Sequence, residues 1–350
     1  MIPLLVLAGF APLQGGTSTL DFEGFPDSTI FTNQYPGLTF SNTMVLTAGI
    51  TLNEFEFPPR SGTNVVSDHG GPMAITFNTP VASFSGFFTH GVQLTMIAFD
   101  SLNHQIASVN SHFSNNEALS GNSGSSPNEL MVSSGGGITR VTIAGDPTGT
   151  SFTLDDATIS TSFTPNPTPL PPTLILTLSG LALAGLTALA ARKRMGNEFG
   201  SMKMLGLALA VLASFGIGTL WLSAAPQTSH VHQTPQPRID SFSANQTTFR
   251  AKTPTPVTLA ARITNPAHIS NSVNLIRIDP SGVPSIVGQM HDDGKNGDAV
   301  AGDHTYTFSL NLNEGRPGLV RVQVSTAFRG RMRRVLSDPL TLIIKSSSSQ

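Results

Sequence analysis

The densest set of residues able to do chemistry is the loop Asp292-Asp293-Gly294-Lys295-Asn296-Gly297-Asp298-Ala299-Val300-Ala301-Gly302-Asp303. Carboxylates at this spacing, around glycines that let the chain turn back, can aim several oxygens at one hard cation such as calcium. An EF-hand loop needs Asp or Asn at positions one, three and five, Gly at six and Glu at twelve. Counted from Asp292, Asn296 and Gly297 fit that pattern, while Gly294 and Asp303 break it. The loop is not an EF-hand. Two readings stand: Asp292, Asp298 and Asp303 as calcium ligands, or a tight turn whose Asp and Asn side chains bond their own backbone.

Catalytic constellations are thin. Glu54 and Glu56 can share one strand face, as paired glycosidase carboxylates do, but Pro58-Pro59 directly afterwards marks a loop edge. His69 has no nucleophile beside it, and His230 with His232 offers too few ligands for a metal. The chain has no G-x-S-x-G elbow, no H-E-x-x-H helix, and no phosphate-binding or dinucleotide fingerprint. With 0 Cys there is no thiolate zinc site, no Cys nucleophile and no disulfide framework. The chain therefore reads as non-enzymatic. The competing reading is an extracellular hydrolase whose carboxylates the sequence does not single out.

Strands must position these residues. Charged residues make up 11% of the 350, against 33 Gly and 25 Pro. A helical bundle needs charged solvent faces, whereas this composition suits sandwiches rich in turns. Between residues 17 and 162, short apolar runs alternate at 38–40, 74–77, 81–88, 92–99, 138–144 and 152–159. They predict roughly ten strands in a jelly-roll-like β-sandwich, with residues 115–128 as a mobile loop. Residues 238–344 repeat the pattern at 239–242, 257–263, 273–278, 306–312, 319–326 and 335–344. About seven strands in that length predict an immunoglobulin-like β-sandwich.

Charge divides the chain in the same way. Residues 1–191 carry two bases against twelve acids, and residues 226–350 carry thirteen bases against eight acids. Such a split points to two modules. Arg329-Gly330-Arg331-Met332-Arg333-Arg334 concentrates four of the bases at a hairpin tip. That tip reads as a solvated turn or as an attractor of acidic polysaccharide, anionic lipid or the acidic first module. No aromatic stacking platform accompanies it, so nucleic acid is not an expected partner.

Residues 173–191 and 204–225 are free of charge, and at ~1.5 Å per residue each nearly covers the ~30 Å hydrocarbon core of a bilayer. Arg192-Lys193-Arg194 and Lys203 place residues 192–203 in the cytoplasm as a basic loop. The expected fold class is therefore mainly β: a jelly-roll-like β-sandwich, two central transmembrane helices and an immunoglobulin-like β-sandwich. Both sandwiches then lie outside the cytoplasm. Residues 204–225 also read as an internal signal peptide, with Ser223-Ala224-Ala225 as its cleavage site. Residues 1–16 form a signal-like segment, 163–172 a Pro-rich linker, 226–237 a Pro/Gln-rich linker and 345–350 a disordered tail.

The order of parts in residues 17–194 resembles that of bacterial PEP-CTERM exosortase substrates. A globular domain closed by Phe152-Thr153-Leu154-Asp155-Asp156-Ala157 is followed by prolines, an apolar span and Arg192-Lys193-Arg194. Pro169-Leu170-Pro171-Pro172 lacks the family's Glu between prolines, and the chain continues past the basic cluster where the family ends. The strand containing Thr19-Leu20-Asp21-Phe22-Glu23-Gly24 and the closing strand also look like those of jelly-roll carbohydrate-binding modules. That resemblance implies a structural calcium held by Asp21, Glu23, Asp155 and Asp156, although alternation aims Asp155 and Asp156 at opposite faces. The loop at 292–303 is similar to the acidic hairpin of exported bacterial immunoglobulin-like domains, including those called choice-of-anchor. Together these likenesses imply a membrane-anchored protein at the cell surface or in the extracellular matrix. Its expected partners are the membrane, extracellular polysaccharide and other surface proteins. The alternative arrangement is two exported proteins joined in one reading frame.

Overall fold

The computed structural model describes residues 16–161 and 236–346. The first stretch forms β1 (Thr17–Leu20), β2 (Ile30–Phe31), β3 (Leu38–Ser41), β4 (Thr43–Thr47), β5 (Asn64–His69), β6 (Met73–His90), β7 (Thr95–Phe99), β8 (Gln105–Asn110), β9 (Glu129–Ala144) and β10 (Gly149–Ser160). All ten belong to one sheet, ordered β2-β4-β5-β10-β6-β9-β7-β8, with β1 on β10 and β3 on β6. The sheet folds around a core in which Phe22, Phe31 and Phe40 meet edge to face.

The two apolar runs at 74–77 and 81–88 are one strand. Along β6, Met73, Ile75, Phe77 and Val81 are buried, then Phe84, Gly86 and Phe88. The inward positions change from odd to even because the register with β9 shifts on either side of Val81. A bulge of this kind adds a residue and bends the strand, so both halves of one long strand can face the core. β10 repeats the device: Phe152 and Leu154 point in before a shift at Asp155, and Ala157 and Ile159 point in after it. Residues 115–128, expected to be mobile, are tied to this sheet. Buried Asn116 accepts from His90 N (2.7 Å) and donates to the Phe88 carbonyl (3.0 Å).

The second stretch forms β11 (Ser241–Ala244), β12 (Thr248–Arg250), β13 (Thr255–Arg262), β14 (Asn274–Ile278), β15 (Pro284–Gln289), β16 (Thr305–Leu312), β17 (Gly318–Thr326), β18 (Val335–Leu336) and β19 (Leu340–Lys345). One sheet is β11-β13-β16 and the other β12-β19-β17-β14-β15, with β18 on β17. Alternation is plain in β13, where Val257, Leu259 and Ala261 enter the core between Thr258 and Ala260. β12 joins β19 in parallel, and the other pairs of these strands are antiparallel. This is the two-sheet order of an immunoglobulin-type sandwich.

The expectation of two transmembrane helices is corrected. The described residues are mainly β, and no helix among them is long and apolar enough to cross a membrane. Their helical content is one 3₁₀ turn at Ser270–Ser272. The physical reason is length and period: the apolar runs here are short and alternating, and their backbone polar groups are satisfied by neighbouring strands rather than within one segment. Residues 173–191 and 204–225, on which the helices and the internal signal peptide were placed, lie outside the described residues. Membrane anchoring is not carried forward.

The two stretches pack into one compact unit. β4 and β5 are buried on both faces: Val45 and Val66 enter the first core, whereas Met44, Leu46 and Val65 turn outward. Those outward residues meet Leu52, Phe57 and Met332, forming a third apolar cluster with a member from each sandwich. Met332 is 4% exposed, and burial of such a side chain contributes about 1.5–3 kcal/mol. β17 shows the other side of the seam, since Gln323 and Ser325 are buried although they point away from its own core.

Candidate functional site

Polar contacts across the seam come from residues 49–56 on one side and from Asn274 and residues 325–334 on the other; Asn274 Nδ2 donates to the Gly49 carbonyl (3.0 Å). Asn53 is fully buried. Its side-chain nitrogen donates to the Phe328 carbonyl (2.9 Å) and the Arg331 carbonyl (2.6 Å), and its backbone N–H reaches the Met332 carbonyl (2.8 Å). Arg334 N donates to the Thr51 carbonyl, and Ser325 Oγ to the Ile50 carbonyl. The Arg334 guanidinium is wholly buried and gives Nη1 to both oxygens of Glu54, at 2.9 Å each. Its remaining donors reach Ser325 Oγ and the Ser272 carbonyl. Burial pulls the Arg334 pKa down and the Glu54 carboxylate opposes that. Glu54 and Glu56 are therefore not a free carboxylate pair. Glu56 is fully buried and gathers four donors: Leu119 N, Ser120 N, Ser120 Oγ and, from the other sandwich, Gly330 N.

A cleft of about 660 Å³ runs beside this seam. The first sandwich contributes Glu117, Asp146 and Thr148 to one wall, and the second contributes Arg331, Met332 and Arg333 to the other. Arg331 and Arg333 are exposed, while Met332 and Arg334 are buried, so residues 331–334 alternate as a strand does. Glu117 is 8% exposed. Asn115 Nδ2 donates to its Oε2 (2.9 Å), and Glu117 N returns a bond to Asn115 Oδ1. Burial raises the Glu117 carboxyl, Asn115 lowers it, and nearby Glu56 raises it further. Asp146 is opposite in character: Thr148 Oγ1 and Thr148 N hold its carboxyl below the usual range.

The acids singled out in the sequence of the first sandwich surround residues 60–64. Glu23 Oε1 accepts from Thr63 N (2.8 Å) and Asn64 N (2.7 Å). Asp155 Oδ2 accepts from Arg60 N (2.7 Å) and Ser61 N (3.0 Å), and Asp156 Oδ1 from Ser61 Oγ. Asp21 accepts from Glu23 N. Asp155 is buried and Asp156 half-buried at the β10 bulge, where Asp156 has φ 45°. Burial lifts the Asp155 carboxyl to about 6, against the pull of neighbouring N–H donors. Glycine suits position 62: its φ is +54°, and a Cβ there would lie 2.2 Å from Glu23 Oε1 and push that carboxylate off Thr63 N and Asn64 N. These carboxylates act as clamps on one turn, and they do not converge as a ligand set.

Asp292, Asp298 and Asp303 do converge, each offering an oxygen within 4.8 Å of the others. Asp292 accepts from Gly302 N, Asp303 N and His304 N; Asp298 from Gly294 N and Val300 N; Asp303 from Thr305 N. The donor set is all oxygen, which suits calcium in kind, but both oxygens of Asp292 and of Asp298 and one of Asp303 already accept backbone N–H groups. His69 is exposed at the end of β5.

The sequence singles out the basic tip that supplies one wall of the cleft, but not Glu117, Asp146 and Thr148 on the other. Glu117 lay within a run taken as loose loop, and Arg331 and Arg333 lay within an undifferentiated charge cluster. Alternation through 331–334 was the available signal.

Fold and cleft together define a two-sandwich β protein with a polar groove along its seam. No protein-family model matches the chain, and no curated protein matches it. Among solved structures it aligns with a DUF4785 family protein from Legionella pneumophila subsp. pneumophila, at 7% identity and a TM-score of 0.21. That alignment covers 95% of this chain, which spans 65% of the Legionella chain. So loose a superposition carries no argument about fold or function.

Proposed function

We propose that this chain is a non-enzymatic attachment protein that works outside the cytoplasm and holds an extracellular polysaccharide. The observation that carries the reading is the seam. Asn53, Glu54, Glu56, Met332 and Arg334 join two sandwiches into one body, with a cleft between them that opens to solvent. Two sandwiches docked through a buried seam present a preformed groove, which lowers the ordering cost of binding and suits retention of an extended ligand. The two carboxylates most like a glycosidase pair are consumed by the seam, which turns the reading away from hydrolysis. The same seam favours one protein over two joined by accident, because each sandwich buries side chains that fit the other. The resemblance to exosortase substrates supports the address.

The test is sedimentation of the full chain with purified extracellular polysaccharide and, separately, with surface proteins, while following release of reducing ends. Retention on polysaccharide with no release is the expected result. Retention on surface protein alone would move the reading to a protein partner. No retention on either, or continuous release of reducing ends, would refute it.

A further inference from the structure

We propose that the cleft between the sandwiches binds an acidic saccharide, a sugar chain with spaced carboxylates, gripped by Arg331 and Arg333 on one wall and by Glu117 and Asp146 on the other. The inference rests on the polysaccharide reading above and names its site and chemistry. Arg331 and Arg333 project from the same side of an alternating segment, and among the described residues no hydrogen bond or ion pair engages either guanidinium. A guanidinium presents a planar fork that matches a carboxylate with two parallel bonds. Two forks at i and i+2 therefore suit carboxylates spaced along a chain.

The opposite wall holds acceptors. Glu117 is more than nine-tenths buried, yet among the described residues its carboxylate has one hydrogen-bond donor, Asn115, at Oε2. No donor among the described residues reaches Oε1, and beside it stands Gly91, where a Cβ would come within 3.3 Å. Glu117 lines the cleft, so a ligand hydroxyl that donates to Oε1 takes the place of water there. Among the described residues no donor reaches the second oxygen of Asp146, while Thr148 fixes the first with two bonds. Sugar hydroxyls are the donors that such oxygens take. The balance of two guanidiniums against two carboxylates repels a dense polyanion and favours a ligand whose negative charges are separated by hydroxyls. The cleft volume, about 660 Å³, falls within the range of sites for ligands of this size. Phe57 is buried at its floor and offers no stacking face, so charge and hydrogen bonding must carry the recognition.

The experiment is calorimetric titration of the full chain with oligogalacturonate, with its methyl ester, and with polyglutamate. Oligogalacturonate is expected to bind, with the ester weaker by about tenfold or more, the loss expected when a charge-assisted pair becomes neutral. Arg331→Ala with Arg333→Ala should weaken oligogalacturonate by a similar factor, and Glu117→Gln should weaken it by about threefold or more. Arg329→Ala, on the same hairpin but outside the cleft lining, should leave affinity within about twofold. Circular dichroism of each variant confirms the fold. Equal binding of polyglutamate would assign an acidic peptide instead, and equal loss in Arg329→Ala would mean diffuse attraction. Either overturns the proposal. Absence of oligogalacturonate binding overturns it too, while retention on polysaccharide in the sedimentation assay would still uphold the attachment reading.

Discussion

Replacing Glu54 with Ala should open the seam without unfolding either sandwich. Arg334 has no exposed side-chain surface and Glu54 about a quarter, at 26%, so the carboxylate is the partner whose loss leaves a stranded charge. Removing one member of a buried pair costs ~3–5 kcal/mol. The lower end applies here, because Arg334 keeps Ser325 Oγ and the Ser272 carbonyl as acceptors. At about 1.4 kcal/mol per factor of ten, a cost of about 3 kcal/mol shifts the docked-to-open ratio by about two orders of magnitude. Hydrogen exchange reads this at single amides. Asn53 N, Gly330 N and Arg334 N bond across the seam to the Met332 carbonyl, Glu56 Oε1 and the Thr51 carbonyl. Their protection should fall by about that factor in Glu54→Ala, while core amides of β6 and β17 keep theirs. Glu54→Met combined with Arg334→Met should restore most of the protection, since a buried pair replaced by apolar side chains of similar volume is often neutral. Unchanged exchange at the three seam amides, or a uniform loss over both cores, would refute this account of the interface.

Two further predictions concern the acids. The Asp155 carboxyl is raised to about 6 by burial, so the folded chain binds its proton more tightly than the unfolded one. Its stabilising contribution is then fully present below about pH 4 and is lost as pH rises through about 6. Melting temperatures should therefore show wild type minus Asp155→Asn largest near pH 4 and smaller at pH 7, and a constant difference would contradict the assignment. Asp292→Ala removes the acceptor of three exposed backbone N–H groups and should cost about 0.5–1.5 kcal/mol, equally in calcium and in EDTA. A calcium-dependent rise in the wild-type melting temperature that disappears in the variant would instead assign an ion to the triad.

How much of this could be read from residues alone depends on which side of a strand was in question. In β13 the alternation of Val257, Leu259 and Ala261 with Thr258 and Ala260 reports one buried face directly. In β6 the same period was visible but broken, and a parity change inside one strand looks like two strands until the bulge around Val81 is known. The seam was nearly silent. The unbroken apolar run Met44-Val45-Leu46 and the pair Val65-Val66 mark strands buried on both faces, yet they do not say what covers the second face. Asn53 finds its partners 275 and 278 residues away, a separation no local pattern encodes. Arg334 differs from Arg333 only in parity, and that single step separates a buried ion-pair member from an exposed base.

Glu56 explains why seam and cleft stand or fall together. Its two oxygens hold Leu119 N, Ser120 N and Ser120 Oγ, which fix the loop that carries Glu117, and also Gly330 N, next to Arg331. One carboxylate thus sets the separation of the two walls, although the cleft's lining does not include it. Such a group is costly to bury unless every lone pair is met, and here four donors meet it from both sandwiches. A sandwich separated from its neighbour would leave this acid short of a donor and the cleft with one wall. The charge asymmetry along the sequence, acidic in the first stretch and basic in the second, then has a physical use. It places carboxylate acceptors and guanidinium forks on opposite sides of a groove that exists only when both stretches are folded against each other.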